Sequence, residues 1–260
     1  MNGLRFVDSI TDFFRSPKWL INLLLGGVCF LIPLVGPLVL MGWHVTIFYG
    51  RSRRESGETE YWRLPPTEWP KFDFAQFVTC LQRGLWPFLV ALVLGFVLLP
   101  VMMLCLLPII LTVAMAKDGD PSDAAMIAAV VLSAGSGLLM VMLFNLLLAP
   151  FLLRAYGLQD FKAAFSFQWV RDYLGRMWKE QLLVALFSVA AGLALCLAGY
   201  LMLCVGVYFT MGIAMFSAAH LQRQLLDLYL QRGGEPLAPA PSLLDQPPPP
   251  PWSPPPLPPS

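Results

Sequence analysis

Two histidines, five cysteines and one serine flanked by glycines are the residues of this 260-residue chain whose types could do chemistry. His44 and His220 are the only imidazoles. Two isolated histidines cannot complete a zinc ligand set, and no His-Glu-x-x-His pattern accompanies them. Each stands near the predicted inner end of a helix and reads as a satisfied interface residue. Gly135-Ser136-Gly137 resembles half of a nucleophile elbow. Its flanking positions are wrong, however, and no histidine is placed to be its base. Its small residues read as helix packing. Asn145, in the same apolar stretch, is suited to a hydrogen bond between helices or to contact with a substrate. Cys29, Cys80, Cys105, Cys196 and Cys204 form no Cys-x-x-Cys pair, so neither a disulfide framework nor a metal site is suggested. Nor is there a glycine-rich loop ending in Lys-Ser/Thr to cradle a phosphate. The sequence therefore predicts no catalytic, cofactor-binding or metal-binding residues and no enzyme activity.

The elements that hold these residues are of one kind. Hydrophobic residues make up 57% of the chain and charged residues 13%, against about 45–50% and about 25% in soluble domains. Asp, Glu, Lys and Arg are absent from 19–50, 84–116, 124–153 and 181–222, which together hold 137 residues. A bilayer-spanning helix needs roughly 20 apolar residues, so every one of these stretches is long enough to cross. The net charge of +1 argues against nucleic acid, which is held by neutralising many phosphates. No small-x-small cleavage site follows the first apolar run, and Asp8 and Asp12 precede it, so the N-terminus does not read as a signal peptide.

A single helix over 181–222 would be about 63 Å long, twice the hydrocarbon core, so it must break, with Gly199-Tyr200 as the natural corner. In 19–50 the run Ile32-Pro33-Leu34-Val35-Gly36-Pro37 predicts a hairpin or kink, because proline removes a backbone donor. With both stretches folded back there are six apolar helices and both termini lie inside. Sixteen of the 17 basic residues then face the cytoplasm, and only Lys117 stands outside, beside Asp118, Asp120 and Asp123. If each stretch crossed once, the best split would be 11 against 6. The first two helices, at about 14 residues each, fall short of a full crossing and also fit a re-entrant wedge.

Three aromatic, mixed-charge segments lead into helix pairs: Phe6-Val7-Asp8 to Trp19, Phe72-Asp73-Phe74 to Trp86, and Phe165-Ser166-Phe167 to Trp178. They suggest an internal repeat. In 165–179, Trp169, Val170, Tyr173, Leu174 and Met177 share one helical face, and Gln168, Arg171, Asp172, Arg176 and Lys179 the other. Such a pattern predicts a helix lying flat at the interface. Small residues recur every fourth position at Ala125-Ala129-Ser133-Gly137, Ser188-Gly192-Cys196 and Gly206-Thr210-Ala214-Ala218. These stripes suit close helix contact within lipid, and Gly206 and Thr210 are expected to face Gly192 and Cys196. From Pro236 to Ser260, 13 of 25 residues are proline. That composition predicts extended polyproline II rather than a packed core.

At the first hairpin and the loop after it, the chain resembles a family of uncharacterised prokaryotic membrane proteins defined only as a domain of unknown function. The likeness rests on an Ile-Pro…Gly corner (Ile32, Pro33, Gly36), a glycine in the exit helix (Gly42) and basic residues after it (Arg51, Arg53, Arg54). It continues with Gly57, Leu64-Pro65, Trp69 and the Gly84-Leu85 that opens the next helix. The segment Lys162-Ala163-Ala164-Phe165 is similar in kind. The resemblance covers residues 1–225, excludes the proline tail and implies architecture without an activity.

The expected fold is all-α: a polytopic helical membrane protein of about six apolar helices in three hairpins, with short amphipathic interfacial helices. Residues 1–232 would form the membrane domain and 233–260 a disordered, Pro-rich cytoplasmic tail. The expected role is non-catalytic, structural or partner-binding, in the cytoplasmic membrane with both termini inside. The expected partners are the lipid bilayer and either a membrane protein or a second copy of the chain, with no cofactor. The competing expectation is an uncoupled transporter or channel subunit for a small or lipid-like solute, supported by helix breaks at Pro33/Pro37 and Pro100/Pro108. Proton relays and carboxylate-based ion coupling lack parts, because no Asp, Glu, Lys or Arg lies within the four long stretches.

Overall fold

A computed structural model describes residues 4–16, 18–49, 77–115, 122–202, 205–238 and 240. These residues form helices and their connections. In chain order the helices are α1 (Phe6–Arg15), α2 (Trp19–Leu31), α3 (Val35–Tyr49), α4 (Phe77–Leu104), α5 (Leu107–Met115), α6 (Asp123–Leu158), α7 (Phe161–Ala164), α8 (Phe167–Leu201) and α9 (Gly206–Gln231). The loop motif from Arg51 to Trp69, the segment 72–76 and the outer charges Lys117, Asp118 and Asp120 lie outside the described residues.

The corners fall where the backbone chemistry demands them. Between α2 and α3 the chain turns at Ile32-Pro33-Leu34, with Leu34 left-handed at φ 64°. The Val35 amide donates to the Pro33 carbonyl at 2.7 Å, and the Gly36 amide to Ile32 at 3.0 Å. α4 continues through Pro87 and Pro100 and ends only at Cys105-Leu106. Pro108 has no N–H to offer the Leu104 carbonyl, so the ladder stops there and restarts as α5. α8 ends at Leu201 and α9 begins at Gly206, close to the corner expected at Gly199-Tyr200.

Three helical stretches, Phe77–Ala114, Asp123–Leu158 and Phe161–Leu201, are long and apolar enough to cross a membrane. α2 and α3 are apolar but short, with 13 and 15 residues. At about 1.5 Å per residue they reach roughly 20 Å, short of the hydrocarbon thickness of about 30 Å. The sixth apolar helix of the sequence reading is α9, which buries Thr210, Ser217, His220 and Gln224. It lies at the centre of the bundle, against α1, α2, α3, α6 and α8. A central helix can carry polar side chains because its neighbours, not lipid, surround them.

Two findings differ from the sequence expectation. Residues 167–179 are not a separate helix but the first turns of α8, continuous to Leu201. The apolar face is as assigned, yet it meets protein: Trp169, Tyr173 and Met177 are fully buried in the main core with Phe151, Tyr156, Leu225 and Tyr229. The glycine pairing also differs. A Cβ on Gly199 would lie 2.6 Å from the Val207 amide nitrogen, and one on Gly206 would lie 2.7 Å from the Gly199 carbonyl oxygen, whereas one on Gly192 would meet nothing within 4 Å. The crossing that closes this hairpin is Gly199–Gly206, next to the corner.

Candidate functional site

The charged termini of the long helices converge at one end of the bundle. α6 ends at Gln159, left-handed at φ 49°, whose side-chain amide donates to the carbonyls of Ala155 and Tyr156 at 3.3 and 3.0 Å. Asp160 then caps α7 by accepting the Ala163 amide at 2.8 Å. The Arg154 guanidinium donates to the Ala163 carbonyl at 2.9 Å and lies over the Trp169 ring, 5.3 Å from its centroid. Trp169, Tyr173 and Tyr229 form a triangle of rings with centroids 5.1–5.3 Å apart. Their polar atoms are used: the Tyr173 hydroxyl donates to Gln181 Oε1 at 2.9 Å, and the Tyr229 hydroxyl to Asp172 Oδ2 at 2.9 Å.

Charges clamp α8 to the end of α9. Arg176 pairs with Asp172 and donates to the Arg232 carbonyl at 2.8 Å, while Arg232 forks onto Glu180. α9 stops in a Schellman turn. Gly233 is at φ 75°, with its amide donating to Leu230, and the Gly234 amide donates to Tyr229 at 3.0 Å. Only glycine takes that backbone conformation without strain. The chain then runs over the aromatic triangle. The Glu235 carbonyl accepts Trp169 Nε1 at 3.3 Å, Leu237 and Ala240 pack on the core, and the Ala240 amide donates to Gly157 at 2.8 Å. Residues 233–238 and 240 thus belong to the folded end, while 239 and 241–260 lie outside the described residues. An open cleft of about 670 Å³ lies between this strap, at Gly233 and Glu235, and the α8 residues Gln168, Arg171, Asp172, Gly175 and Arg176.

On the other side of α9 sits α1. Ser9 and Ser217 share a hydrogen bond at 2.7 Å, and Ser9 also donates to the Phe6 carbonyl. The Arg5 amide donates to Gln224 Oε1 at 2.8 Å, and Gln224 Nε2 returns a bond to the Arg5 carbonyl. Asp12 is wholly buried, 2.8 Å from Arg15 and 3.7 Å from His220 Nδ1. Burial raises the Asp12 carboxyl to about 6, against the opposing pull of Arg15. This acid–imidazole contact went unseen in the sequence because its halves lie 208 residues apart. The signal available was the i, i+3, i+4, i+7 spacing of Ser9, Asp12, Phe13 and Ser16.

The residues singled out for chemistry each have a packing or hydrogen-bond contact. His44 is buried and stacked on Tyr156 at 4.7 Å. Ser136 donates to Ser133 in its own helix and to the Cys105 carbonyl freed at the α4–α5 break. The Asn145 amide donates to Val141 in its own helix, and its backbone carbonyl accepts Gln181 from α8. His220 faces Asp12, Ser136 the α4–α5 break and Asn145 its own helix and α8. Among the described residues no group of three or more His, Cys, Asp or Glu could hold a metal ion.

Fold and composition together define a helical protein with membrane-spanning segments. Residues 25–205 match the family described as Protein of unknown function (DUF4013), and the chain belongs to that family. The match begins inside α2 and ends at the start of α9, a shorter reach than the 1–225 that the motifs implied. No curated protein and no solved structure matches the chain. Three of the glycines in the first hairpin and the helix after it have a visible role: a Cβ on Gly36 would overlap the Cys29 carbonyl, one on Gly42 the Cys80 carbonyl, and one on Gly84 the Leu38 carbonyl. They are points where backbones touch between α2, α3 and α4.

Proposed function

We propose that this is a non-catalytic, multi-pass protein of a prokaryotic cytoplasmic membrane, with both termini on the cytoplasmic side, whose knitted end serves as a platform for a protein partner. One observation carries the reading: α1, the start of α8, the end of α9 and the strap at 233–238 and 240 fold together at the charged end, and a Pro-rich segment follows the strap in sequence. Proline-rich segments are recognised by aromatic-lined grooves at low ordering cost, which makes the tail the natural contact for a partner domain. α2 and α3 suit a re-entrant wedge by their length. Topology is tested with a membrane-impermeant thiol reagent on intact cells. A cysteine at Ser122 is expected to label and one at Ser56 to remain unlabelled; equal labelling overturns the orientation.

A second reading has one specific observation in its favour. The helix break at Cys105 opens an apolar groove of about 250 Å³ lined by Val101, Leu104, Ser136, Leu139, Met140 and Leu143, which would suit a lipid-like solute. Purified protein in vesicles is expected to leave glycerol permeation, followed by light scattering, at the rate of empty vesicles. Accelerated swelling would favour the transporter reading.

A further inference from the structure

α1 has three arcs rather than two. At 100° per residue, Phe6, Ser9, Asp12, Phe13 and Ser16 fall on one side and face the protein, all buried or half-buried. Thr11, Arg15 and Asp8 fall on a second, polar arc. Val7, Ile10 and Phe14 make the third, with Val7 69% and Phe14 46% exposed. In water this arrangement would be inverted: a carboxylate and two hydroxyl-bearing residues buried, and valine and phenylalanine turned outward. It becomes favourable if the third arc meets hydrocarbon.

The surface next to that arc supplies the occupant. The Phe14 ring touches Trp19 at 5.6 Å. Trp19 opens α2, whose Leu20, Leu24 and Val28 are exposed along one line of an apolar helix. The outward edge of α1 therefore continues the lipid-facing surface of α2 without a break. Arg15 and Lys18 are exposed beside it, where long cationic side chains reach lipid phosphates while their stems stay apolar. We infer that α1 lies in the plane of the bilayer surface, with Val7 and Phe14 among the acyl chains of the cytoplasmic leaflet and Thr11 in water. The polar contacts to α9 fix that roll angle, because turning the helix would expose Val7 to water or pull Asp12 from its pocket.

This inference rests on the membrane reading above, and its test separates the two. The photoreactive residue p-benzoylphenylalanine is introduced singly in place of Val7, Phe14, Thr11 or Leu24 in the full chain. Each protein is irradiated in vesicles of phosphatidylethanolamine and phosphatidylglycerol, and adducts are read by mass spectrometry. Phospholipid adducts are expected at Val7, Phe14 and Leu24, with loss to background at Thr11. Adducts at Leu24 alone would overturn the placement of α1 and leave the membrane reading standing. Absence at all four positions would sink both. A chain-to-chain adduct at Phe14 would also overturn the inference, since a second copy would then cover that edge.

Discussion

The two ends of the long helices are built differently. Within their most apolar windows, only 6%, 11% and 17% of the residues of the three spans are buried, and Phe96, Val97, Leu132, Leu139 and Leu197 stand exposed. At the charged end two of these spans bury Tyr156, Trp169, Tyr173 and Met177 almost completely, together with Tyr229 of α9. In lipid, apolar side chains gain nothing by meeting each other rather than acyl chains, so the middle of the bundle holds only where backbones can touch. Where water returns, burying aromatic area stabilises again and the helices knit. Stability is therefore expected to reside in the glycine crossings and in the charged end, not in the most hydrophobic residues.

The sharpest break of this contrast compares glycines. Gly42→Leu and Gly84→Leu each push a side chain into a neighbouring backbone carbonyl and are expected to cost about 3 kcal/mol or more. Gly135→Leu and Gly192→Leu meet open space and are expected to be neutral or stabilising by up to about 1 kcal/mol, since glycine is a poor helix former. Melting in detergent decides it. If Gly135→Leu melts as low as Gly42→Leu, the apolar half is packed after all.

A middle-sized effect comes from Asp12. Its carboxyl is raised to about 6 from 3.8, so protonation favours the folded state. That stabilisation is complete below about pH 4 and is lost as pH rises through 6. The variant Asp12→Asn should match the parent near pH 4 and exceed it above pH 7, by on the order of 2–3 kcal/mol. His220 faces Asp12 at 3.7 Å and titrates together with it, so variant and parent are compared in a His220→Gln background, where that coupling is absent. A gap that does not change with pH would show that Asp12 is not buried against α9.

The smallest effect separates the strap from the tail. Truncation after Gly234 removes the acceptor of Trp169 Nε1 and the cover of Leu237 and Ala240, and should cost about 1–2 kcal/mol. Truncation after Ala240 should stay within about 0.5 kcal/mol. A large loss in the second case would place the proline segment itself against the bundle.

How much of this was legible beforehand follows from the range of each signal. The corners at Pro33 and Pro108 have a local signal, a missing backbone donor. Pro37, Pro87, Pro100 and Pro150 lack the same donor yet sit inside continuous helices, so the signal marks candidate corners and packing selects among them. The end of α9 is local, since Gly233-Gly234 supplies the left-handed turn. The mate of each glycine is not local. Gly206 reads equally well against Gly192 or Gly199, and only the packing of α8 on α9 selects the second. The Ser9–Ser217 and Asp12–His220 contacts were illegible for the same reason.

By itself, the sequence determined that the chain is helical and that its charge-free stretches suit lipid, because these depend on propensity and transfer energy residue by residue. Tertiary structure alone decided what each amphipathic face meets. The faces of 165–179 and of α1 carry similar patterns of rings and charges, yet Trp169 and Tyr173 are sealed in the protein core while Val7 and Phe14 stay outside it. Periodicity records that one side of a helix avoids water. It cannot say whether protein or lipid does the covering, because both are apolar and only packing distinguishes them.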